Sequence, residues 1–471
     1  MNTSDSNRQL PIIILGAGPA GLTAAMTLIR NGRKVIILEK RPEVGGISSS
    51  SYWEGFIVEF GPHTYHVKND DIDQLIRDQY DGDLPIKKRI TNMLIRGKYY
   101  DYPLKFWQLI LGLNPFFSIR IVADFIYTSI KYAIFPRPDD SFETWGIKRF
   151  GKTLYNLCFG QYSRRVWGIP PSNLSTRLAS SKLQKLNLKD ILIKLVGGKG
   201  QEQATYWDDF IYPEEGMGVI FERMAKKIKE EGGEVWLDSR PIAISFNGSK
   251  VASVRVERKG EEITIPCSGV ISTIPLPVIT DLCRPILSEE DTAAGEALKS
   301  RSLVLANIII NTDRVGRAHW VYLLDPVFLF NRFCEQKNLL LDRKPEGKTM
   351  ITFELCCGYN DHLWKSTEDE MRKLVLKDIE HIDKIDGREA SACMITRVKD
   401  AYPIYDLAFE RNLEILINAL SRIDNLYSTG RQGLFLNADM HDSMKSGLMA
   451  ARAVLDGKPS EEWYRDAEEF L

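Results

Sequence analysis

An arginine lies between two glycines near the C-terminal end of the chain. Arg431 is part of the stretch TGRQGLF, with Gly430 before it and Gly433 after it. Glycine lets the backbone approach a ligand closely, and a guanidinium offers oxyanions a planar fork of hydrogen-bond donors. The stretch therefore suits a phosphate or carboxylate clamp. It suits equally well a tight turn before a helix, with the arginine in a surface salt bridge.

A glycine cluster near the other end of the chain carries the clearest chemical signal. Gly16, Gly18 and Gly21 have GxGxxG spacing and follow an apolar run at 11–15. In this spacing the first glycine makes a tight turn, the second lets backbone touch a pyrophosphate, and the third packs helix on strand. Glu39 ends the next apolar run and can accept hydrogen bonds from an adenosine ribose. The segment predicts a dinucleotide site.

A second glycine pair favours FAD over NAD as that dinucleotide. Glu39 alone does not separate the two, but Gly45 and Gly46 follow it within a few residues. This arrangement resembles flavoproteins of the amine oxidase and protoporphyrinogen oxidase superfamily, in which such a pair lies near the FAD diphosphate. The resemblance implies non-covalent FAD, with further cofactor contacts from Lys40, Gly61, Val235, Gly430 and Met440.

The stretch GFIVEFGPHTYHV, residues 55–67, extends the resemblance toward the flavin ring. It is similar to the strand and turn of protoporphyrinogen oxidases and UDP-galactopyranose mutases that end beside the isoalloxazine. His63 takes the place of a histidine that lies against the flavin in the mutases, so the resemblance implies a catalytic role for it. Pro62 stands where the mutases usually have a second glycine. The alternative is a loop histidine without a role in the chemistry.

The string YSRRVWGIPPSNL, which contains Trp167, resembles a motif shared by the mutases and many protoporphyrinogen oxidase-like proteins. It opens a basic segment, 163–199, with eight basic residues and one acidic residue. Such an excess suits an anionic ligand or surface, although a solvated helix face is the usual fate of charge runs. In the mutases an arginine that binds the substrate diphosphate follows this motif. Lys185, or its neighbour Lys182, takes that place here, and Trp167 is implied as a further substrate contact.

Two arginines match mutase positions that bind the substrate diphosphate. Arg332 lies in a stretch similar to the mutase strand that carries one of them, and Arg431 matches another. The resemblance implies catalytic and substrate-binding roles for both, since bidentate pairing with phosphate is what such a clamp uses. The tyrosines that flank the mutase arginine are replaced by Phe435 and Asn437, and Asn437 is implied as a substrate contact.

Composition narrows the range of partners. The chain has 471 residues, 44% of them hydrophobic and 27% charged, and a net charge of −1. Without an overall basic field a nucleic acid partner is not expected. None of the seven cysteines forms a CxxC pair, and the six histidines do not cluster with them, so no metal site is predicted. A reduced, cytoplasmic protein without a signal peptide is expected.

Residues 104–136 predict two amphipathic helices that are separated at Pro115 and rich in aromatic side chains. The longest uncharged run there, 106–119, is shorter than the roughly 20 residues that a membrane-spanning helix needs. Core packing is the usual fate of such aromatic side chains. A lipid-facing patch, which would give peripheral membrane contact, is the alternative.

The order of apolar runs and turns predicts an α/β fold. We expect a doubly wound, Rossmann-type FAD-binding domain and a second substrate domain of mixed helices and antiparallel sheet. The FAD domain is expected from 1–80, 210–285 and 395–471, and the substrate domain from 81–209 and 286–394. Further predicted elements are a hairpin that turns at Asn247–Gly248, strands at 302–311, 319–324 and 349–357, and a helix at Leu363–Asp383.

Two functions follow from the resemblance, and both require FAD. The first is a mutase-like flavoenzyme that acts on a sugar held by its nucleotide- or lipid-linked diphosphate, where the reduced flavin is the nucleophile. The second is an FAD oxidoreductase, protoporphyrinogen oxidase-like or amine oxidase-like, that dehydrogenates an apolar substrate. A flavin-binding protein without turnover is a third class. The sequence leaves open the identity of the substrate, whether NAD(P)H reduces the flavin, and the oligomeric state.

Overall fold

A computed structural model describes residues 10–68, 70–80, 84–179, 209–341 and 344–470. Lys182 and Lys185 lie outside the described residues. The strands are β1 (Ile12–Leu15), β2 (Val35–Leu38), β3 (Ser50–Trp53), β4 (Phe56–Glu59), β5 (Tyr65–His66), β6 (Ile86–Lys88), β7 (Thr91–Ile95), β8 (Lys98–Asp101), β9 (Asp209–Ile211), β10 (Glu234–Trp236), β11 (Ser239–Asn247), β12 (Lys250–Arg258), β13 (Glu261–Pro266), β14 (Gly269–Ser272), β15 (Ser300–Ile310), β16 (Trp320–Leu323), β17 (Arg332–Glu335), β18 (Thr349–Cys357), β19 (Ala390–Pro403) and β20 (Leu426–Ser428).

The α-helices alternate with these strands in the first and last parts of the chain and are concentrated between β8 and β9 in the middle. They are α1 (Pro19–Arg30), α2 (Asp71–Arg77), α3 (Phe106–Gly112), α4 (Pro115–Ile134), α5 (Phe142–Tyr155), α6 (Gln161–Trp167), α7 (Gly218–Glu230), α8 (Leu276–Leu282), α9 (Glu289–Ala297), α10 (His362–Lys365), α11 (Glu368–Ile379), α12 (Phe409–Ser421), α13 (Gly430–Gly433), α14 (Met440–Leu455) and α15 (Ser460–Asp466).

A five-stranded parallel sheet forms the centre of the first region, in the order β10-β2-β1-β14-β20. The strands β1, β2 and β14 are buried along their whole length, as expected for β-branched apolar runs in a covered parallel sheet. Helix α1 packs on β1, β2 and β14, while α7 and α14 pack on α1. The antiparallel sheet β11-β12-β13 adds a further layer against β2 and β14. The predicted α/β fold class is confirmed.

A seven-stranded mixed sheet forms the second region, in the order β19-β15-β18-β17-β16-β7-β8. Its neighbours are antiparallel except β16 and β7, which run parallel. Helix α11 packs on β15 and β19, and α3, α4 and α5 cover the hairpin β7–β8. The predicted domain limits stay a prediction. The limit between residues 394 and 395 falls inside β19, which pairs with β15 along most of its length.

Of two sequence predictions for this region, one is confirmed and one is wrong. The break at Pro115 is confirmed, because α3 ends at Gly112 and α4 begins with Pro115 in its first turn, where proline is favoured. The single helix predicted for Leu363–Asp383 is wrong. The chain forms α10 and then α11, since Thr367 and Glu370 make a reciprocal capping box that starts a new helix.

Among the helices of the described residues, none combines the length and the apolar character needed to cross a membrane. The cysteines are unpaired thiols, and Cys356 and Cys357 are buried neighbours on β18.

Candidate active site

The predicted dinucleotide loop runs from the end of β1 into α1, and its glycines have distinct steric roles. Gly16 has φ +101°, and a Cβ there would lie 2.5 Å from Thr273 Oγ1. A Cβ on Gly21 would lie 2.1 Å from the Gly16 carbonyl oxygen. Gly18 differs, since a Cβ there would meet nothing within 4 Å. Open space at Gly18, at the start of a helix without a side-chain N-cap, is the cradle that a pyrophosphate needs.

Glu39 lies at the end of β2 beside this loop and is buried. Its Oε2 accepts from the Ala17 amide at 2.9 Å, and its Oε1 accepts from the Arg41 amide at 2.9 Å. The carboxylate is thereby fixed at the place where a ribose would follow the pyrophosphate. Val235, the other predicted residue of the adenosine side, lies opposite Ile37 on the neighbouring strand β10.

The second glycine pair folds onto the first cluster. The Gly45 amide donates to the Ala17 carbonyl at 2.8 Å, and a Cβ on Gly46 would lie 3.3 Å from Gly18 Cα. Both glycines have positive φ. Lys40 is exposed, so its side chain is not enclosed with the glycines. Arg41, which the sequence interpretation missed, donates to the Gly46 carbonyl at 2.9 Å and stacks on Phe60. The residues present fit the diphosphate half of FAD.

The last glycine turn closes on the same helix terminus. Gly430 has φ +78°, and a Cβ there would lie 2.8 Å from the Ala20 Cβ. Its amide donates to Ser446 Oγ on α14 at 3.1 Å. Helix α14, which begins at Met440, packs so closely on α1 that a Cβ on Gly447 would lie 2.2 Å from the Ala20 carbonyl oxygen. The turn before Arg431 and the start of α14 are therefore next to the N-terminus of α1.

His63 follows β4 at the Gly61 turn and lies in an electropositive setting. Its Nδ1 lies 3.2 Å from the Gly61 carbonyl oxygen. Burial, together with the charges of Arg332 and Arg431, lowers the pKa of His63 to about 4. The imidazole is therefore neutral near pH 7. The charges of both arginines also act on the pKa of Tyr402. The three residues predicted as catalytic, His63, Arg332 and Arg431, are therefore close to one another.

Arg332 has a counterion that the sequence interpretation did not anticipate. Its Nε donates to Glu354 Oε1 at 2.6 Å, and the two residues are opposite each other on β17 and β18. A Cβ on Gly61 would lie 3.1 Å from Glu354 Oε1 and 3.6 Å from Arg332 Nη2. Burial opposes the charge on Arg332, but the Glu354 carboxylate outweighs it and raises the pKa of Arg332 above its ordinary value. The pair lies directly against the glycine turn.

Arg431 has no such counterion within the described residues. Its Nη1 and Nη2 donate to the carbonyls of Ala438 and Ala401 at 2.5 Å and 3.0 Å. Its Nε is shut off from solvent and has no hydrogen-bond partner in the part of the chain that the structure describes. The guanidinium carbon lies 5.5 Å from the centre of the Tyr402 ring. Burial lowers the pKa of Arg431, and the nearby Tyr402 and Asp439 oppose this shift only in part.

The YSRRVWG motif acts through packing. Arg165 donates from Nη1 to the carbonyls of Asp325 and Phe328 at 3.1 Å and 2.9 Å, which ties α6 to the second sheet. The buried Trp167 at the end of α6 makes an edge contact with Tyr402, with ring centres 6.2 Å apart. The motif therefore brings Trp167 to the edge of the arginine site, through Tyr402.

Asn437 lies next to the site through its backbone. Its amide donates to the Tyr405 hydroxyl at 2.8 Å, and that hydroxyl donates to the Phe435 carbonyl at 3.3 Å. Phe435 and Asn437, which replace the flanking tyrosines of the mutases, are thus held by a tyrosine from another segment. No side-chain hydrogen bond of Asn437 is present within the described residues.

Glu354 and Tyr402 are the residues of this site that the sequence interpretation missed. Both come from strands of the second sheet, β18 and β19. The sequence interpretation predicted a strand at 349–357 and none over β19. Arg332 and Glu354 are far apart in sequence and become neighbours only through the pairing of β17 with β18. The sole available signal was a carboxylate inside an otherwise apolar run, TMITFELCC, which is rare without a partner.

Comparison with known proteins identifies the family. The model of the flavin containing amine oxidoreductases matches residues 19–455, nearly the whole chain. The chain belongs to this family. It is an FAD-dependent flavoenzyme of the amine oxidase superfamily, related to UDP-galactopyranose mutases and protoporphyrinogen oxidases.

Individual relatives include both sugar mutases and oxidases. The dTDP-fucopyranose mutase of Escherichia coli is 25% identical over 186 residues, which are 38% of this chain and 47% of that one. The chain thus spans about half the length of the curated sugar mutases that it matches. Coproporphyrinogen III oxidase of Bacillus subtilis is 20% identical over 475 residues, covering 94% and 97% of the two chains.

Solved structures share the fold over the full length. Reduced UDP-galactopyranose mutase superposes with a TM-score of 0.81 and 20% identity, and the match covers 98% of this chain and 97% of that one. Putrescine oxidase bound to putrescine gives a TM-score of 0.64 and 15% identity, with 95% and 99% covered. At these identities the likeness concerns the fold.

Proposed function

We propose that this flavoenzyme acts on a nucleotide- or lipid-linked sugar whose diphosphate is held by Arg431, with Arg332 beside it. The observation that carries the proposal is the buried Arg431 guanidinium. Within the described residues no carboxylate forms an ion pair with it, and its Nε has no hydrogen-bond partner. A buried charge in that state is costly unless a ligand compensates it. A phosphate oxygen supplies both the opposite charge and the acceptor.

The position of Arg431 links the ligand to the cofactor. Arg431 directly follows Gly430, which lies against Ala20 at the start of α1, beside the loop that fits the FAD diphosphate. Reduced FAD, when bound, would supply the nucleophile for the reaction. The chain's own residues would hold the diphosphate, keep the sugar close to the cofactor and exclude water through Trp167 and Tyr402.

His63 would serve this site as a neutral residue. Its low pKa keeps it uncharged, so it adds no positive charge to the two arginines. Because its Nδ1 donates to the Gly61 carbonyl, its Nε2 can accept one hydrogen bond. Its contact with the Gly61 carbonyl orients the ring. In this proposal His63 positions substrate or cofactor, and phosphate recognition falls to the arginines.

The ion pair of Arg332 changes the role expected for that residue. Because Glu354 already compensates its charge, the site has one net positive charge from Arg332, Glu354 and Arg431 rather than two. The Glu354 carboxylate also fixes the direction of the Arg332 guanidinium, whose Nη2 lies near Gly61. Arg332 would therefore orient the ligand through a fixed donor, while Arg431 would provide most of the electrostatic attraction.

The same ion pair favours a second function. A site with a single net charge and the aromatic side chains of Tyr402 and Trp167 also suits an apolar substrate. The B. subtilis coproporphyrinogen III oxidase aligns with 94% of this chain. The alternative is therefore an FAD oxidoreductase that removes hydride from an apolar substrate. NAD(P)H as the reductant of the flavin belongs to the mutase-like proposal, since that chemistry needs a reduced flavin.

A turnover comparison separates the two functions. FAD-loaded protein is reduced with dithionite without oxygen and incubated with UDP-galactose, UDP-glucose and dTDP-linked sugars, and products are separated by chromatography. The mutase-like function predicts isomerisation by the reduced protein and none by the oxidised protein. A second incubation in air supplies coproporphyrinogen III or putrescine and follows oxygen consumption. Oxygen consumption there, with no sugar nucleotide bound or converted, would replace the proposal with the oxidoreductase.

A further inference from the structure

Helix α4 exposes an apolar stripe to solvent. Phe116, Ile119, Ile126, Tyr127, Ile130 and Ile134 are between 51% and 84% exposed. Their spacing of three, four and seven residues places them on one side of the helix. The stripe is about 27 Å long at a rise of roughly 1.5 Å per residue. Core packing therefore does not account for these six residues, although Ile121 on the other side of α4 is buried.

The opposite side of α4 is what holds the helix in the fold. Ser118, Ile121 and Thr128 are its buried residues. A Cβ on Gly151 of α5 would lie 3.1 Å from the Phe125 backbone, and Asp124 accepts from the Thr153 amide at 2.6 Å. The helix is thus anchored on α5 by one face and leaves the α4 stripe uncovered. Leu111, which is 83% exposed on α3, extends the apolar surface.

Basic residues border the α4 stripe. Arg120 and Lys131 are exposed and lie on the same edge of it, three turns apart. The segment 104–137 contains four basic residues and one acidic residue, Asp124. The Asp124 carboxylate accepts from the Thr153 amide and offsets one of the four positive charges, so the segment keeps a net charge of +3.

A cleft next to this basic edge adds a second cationic feature. It has a volume of about 540 Å³ and lies between α4, α5 and the loop that follows β16. Three cations, Arg96, Arg120 and Lys152, line it together with two carboxylates, Asp124 and Asp325. Arg96 lies over the Phe117 ring at 4.2 Å. Arg120 and Lys152 form no ion pair within the described residues. The cleft therefore offers cations to a phosphate at the border of an apolar surface.

We propose that the α4 stripe docks on the surface of an anionic lipid membrane, with lipid phosphates near Arg120 and the cleft. An amphipathic helix with a basic edge lies in the plane of the interface and inserts its apolar face. A second copy of this chain is a poorer occupant, because a symmetric contact would place Arg120 and Lys131 of both copies close to one another. The inference is independent of the sugar diphosphate chemistry proposed for the active site.

Vesicle co-sedimentation of the FAD-loaded protein tests this proposal. Wild type is expected to bind vesicles of mixed phosphatidylcholine and phosphatidylglycerol, and to bind them more tightly than vesicles of phosphatidylcholine alone. The stripe variant Phe116→Gln/Ile119→Gln/Ile130→Gln should bind at least about tenfold more weakly, since it replaces three of the six apolar side chains of the stripe. The matched control Val278→Gln/Leu341→Gln/Leu407→Gln changes three exposed apolar residues elsewhere and should bind as wild type does.

The contribution of charge is tested separately. Arg120→Gln and Lys131→Gln should each weaken binding to anionic vesicles about fivefold, because each cation near such a surface adds a comparable increment. Neither should change binding to neutral vesicles. Lys226→Gln, on the exposed side of α7, is the control. All variants should keep FAD content and melting temperature, since the altered side chains are exposed.

Three outcomes would overturn the proposal. The first is a wild-type protein that does not bind anionic vesicles. The second is a stripe variant that binds as tightly as wild type. The third is a wild-type dimer, seen by sedimentation velocity, that becomes monomeric in the stripe variant while vesicle binding is absent. That result would assign the α4 stripe to an interface between copies of the chain.

Discussion

Arg332 and Glu354 form an ion pair directly against the glycine turn that leads to His63. The Nε–Oε1 distance is 2.6 Å, and a Cβ on Gly61 would lie 3.1 Å from the same carboxylate oxygen. Glu354 is almost fully buried and Arg332 largely so. A residue expected from the sequence to bind phosphate is therefore also one half of a structural pair.

This pairing predicts that Arg332→Ala destabilises the protein. Removing one partner of a buried ion pair leaves the other charge uncompensated, which costs about 3–5 kcal/mol. The double variant Arg332→Ala/Glu354→Gln should regain most of that loss, because no buried charge is left alone. Urea unfolding of the FAD-loaded proteins measures the difference. A single variant as stable as the double variant would show that Glu354 is not ionised in the folded protein.

Substitution by valine should have different effects at two glycines of the same motif. Gly18 has extended backbone and open space at its Cβ position, so Gly18→Val should fold but lose FAD. Gly21→Val would press a side chain into the Gly16 carbonyl, 2.1 Å from the Cβ position, and should fail to fold. Flavin content per soluble protein and circular dichroism distinguish the two results. Equal flavin content in Gly18→Val and wild type would contradict the assignment of the loop.

The glycine motif and the site residues differ in how far sequence alone could predict them. Spacing determines the position of Gly16, Gly18, Gly21 and Glu39, because a strand, a turn and a helix in succession leave little choice of geometry. Gly45 and Gly46 follow closely enough to be included. These six residues lie within thirty-odd residues of chain, and there the sequence interpretation agrees with the geometry. Val235 on β10 is the predicted residue of the adenosine side that comes from a distant segment.

Long-range pairing is what sequence alone could not provide. Glu354 reaches Arg332 through the register of β17 with β18, and Tyr402 reaches Arg431 through β19 and the turn before α13. The helix start at Thr367 is a different case. The capping box Thr367–Glu370 is a local signal and was available in the sequence.

A buried carboxylate in the first region predicts a pH-dependent stability. Burial raises the pKa of Glu59 from 4.5 to about 7, although Ser50, Met217 and Gln336 donate hydrogen bonds to it. The folded state therefore keeps a proton that the unfolded state releases. The resulting stabilisation is complete below pH 4.5 and is lost as the pH rises through 7.

Comparison with Glu59→Gln isolates this effect. Relative to the variant, wild type should lose up to about 3 kcal/mol of unfolding free energy as the pH rises from 4.5 to above 7. Chemical denaturation of both proteins at several pH values provides the measurement, and the constant difference between the side chains cancels. A difference that does not vary with pH would place the pKa of Glu59 at its ordinary value.

The low pKa of His63 leads us to expect that the protein takes up protons when it binds an anion. Its pKa is near 4 partly because Arg332 and Arg431 are close. A bound diphosphate would offset their charge and raise the pKa of His63, so binding near pH 5 should take up protons and tighten as the pH falls. Calorimetry of UDP binding in buffers of different ionisation enthalpy detects the uptake, and His63→Gln should abolish it. An undiminished uptake in that variant would assign the proton to another group.

Affinity for UDP in Arg431→Ala tests the central claim most directly, because within the described residues no carboxylate forms an ion pair with this guanidinium. The matched control is Gln432→Ala, which removes the neighbouring hydrogen bond to the Asp400 carbonyl and no charge. The account predicts that FAD content and melting temperature stay near wild type while the Kd for UDP rises about 10- to 150-fold in Arg431→Ala, as expected for loss of a charge-assisted bond. Gln432→Ala should bind as wild type does. Unchanged UDP affinity in Arg431→Ala, or loss of FAD from it with no UDP bound by wild type, would contradict the account and make Arg431 a structural residue.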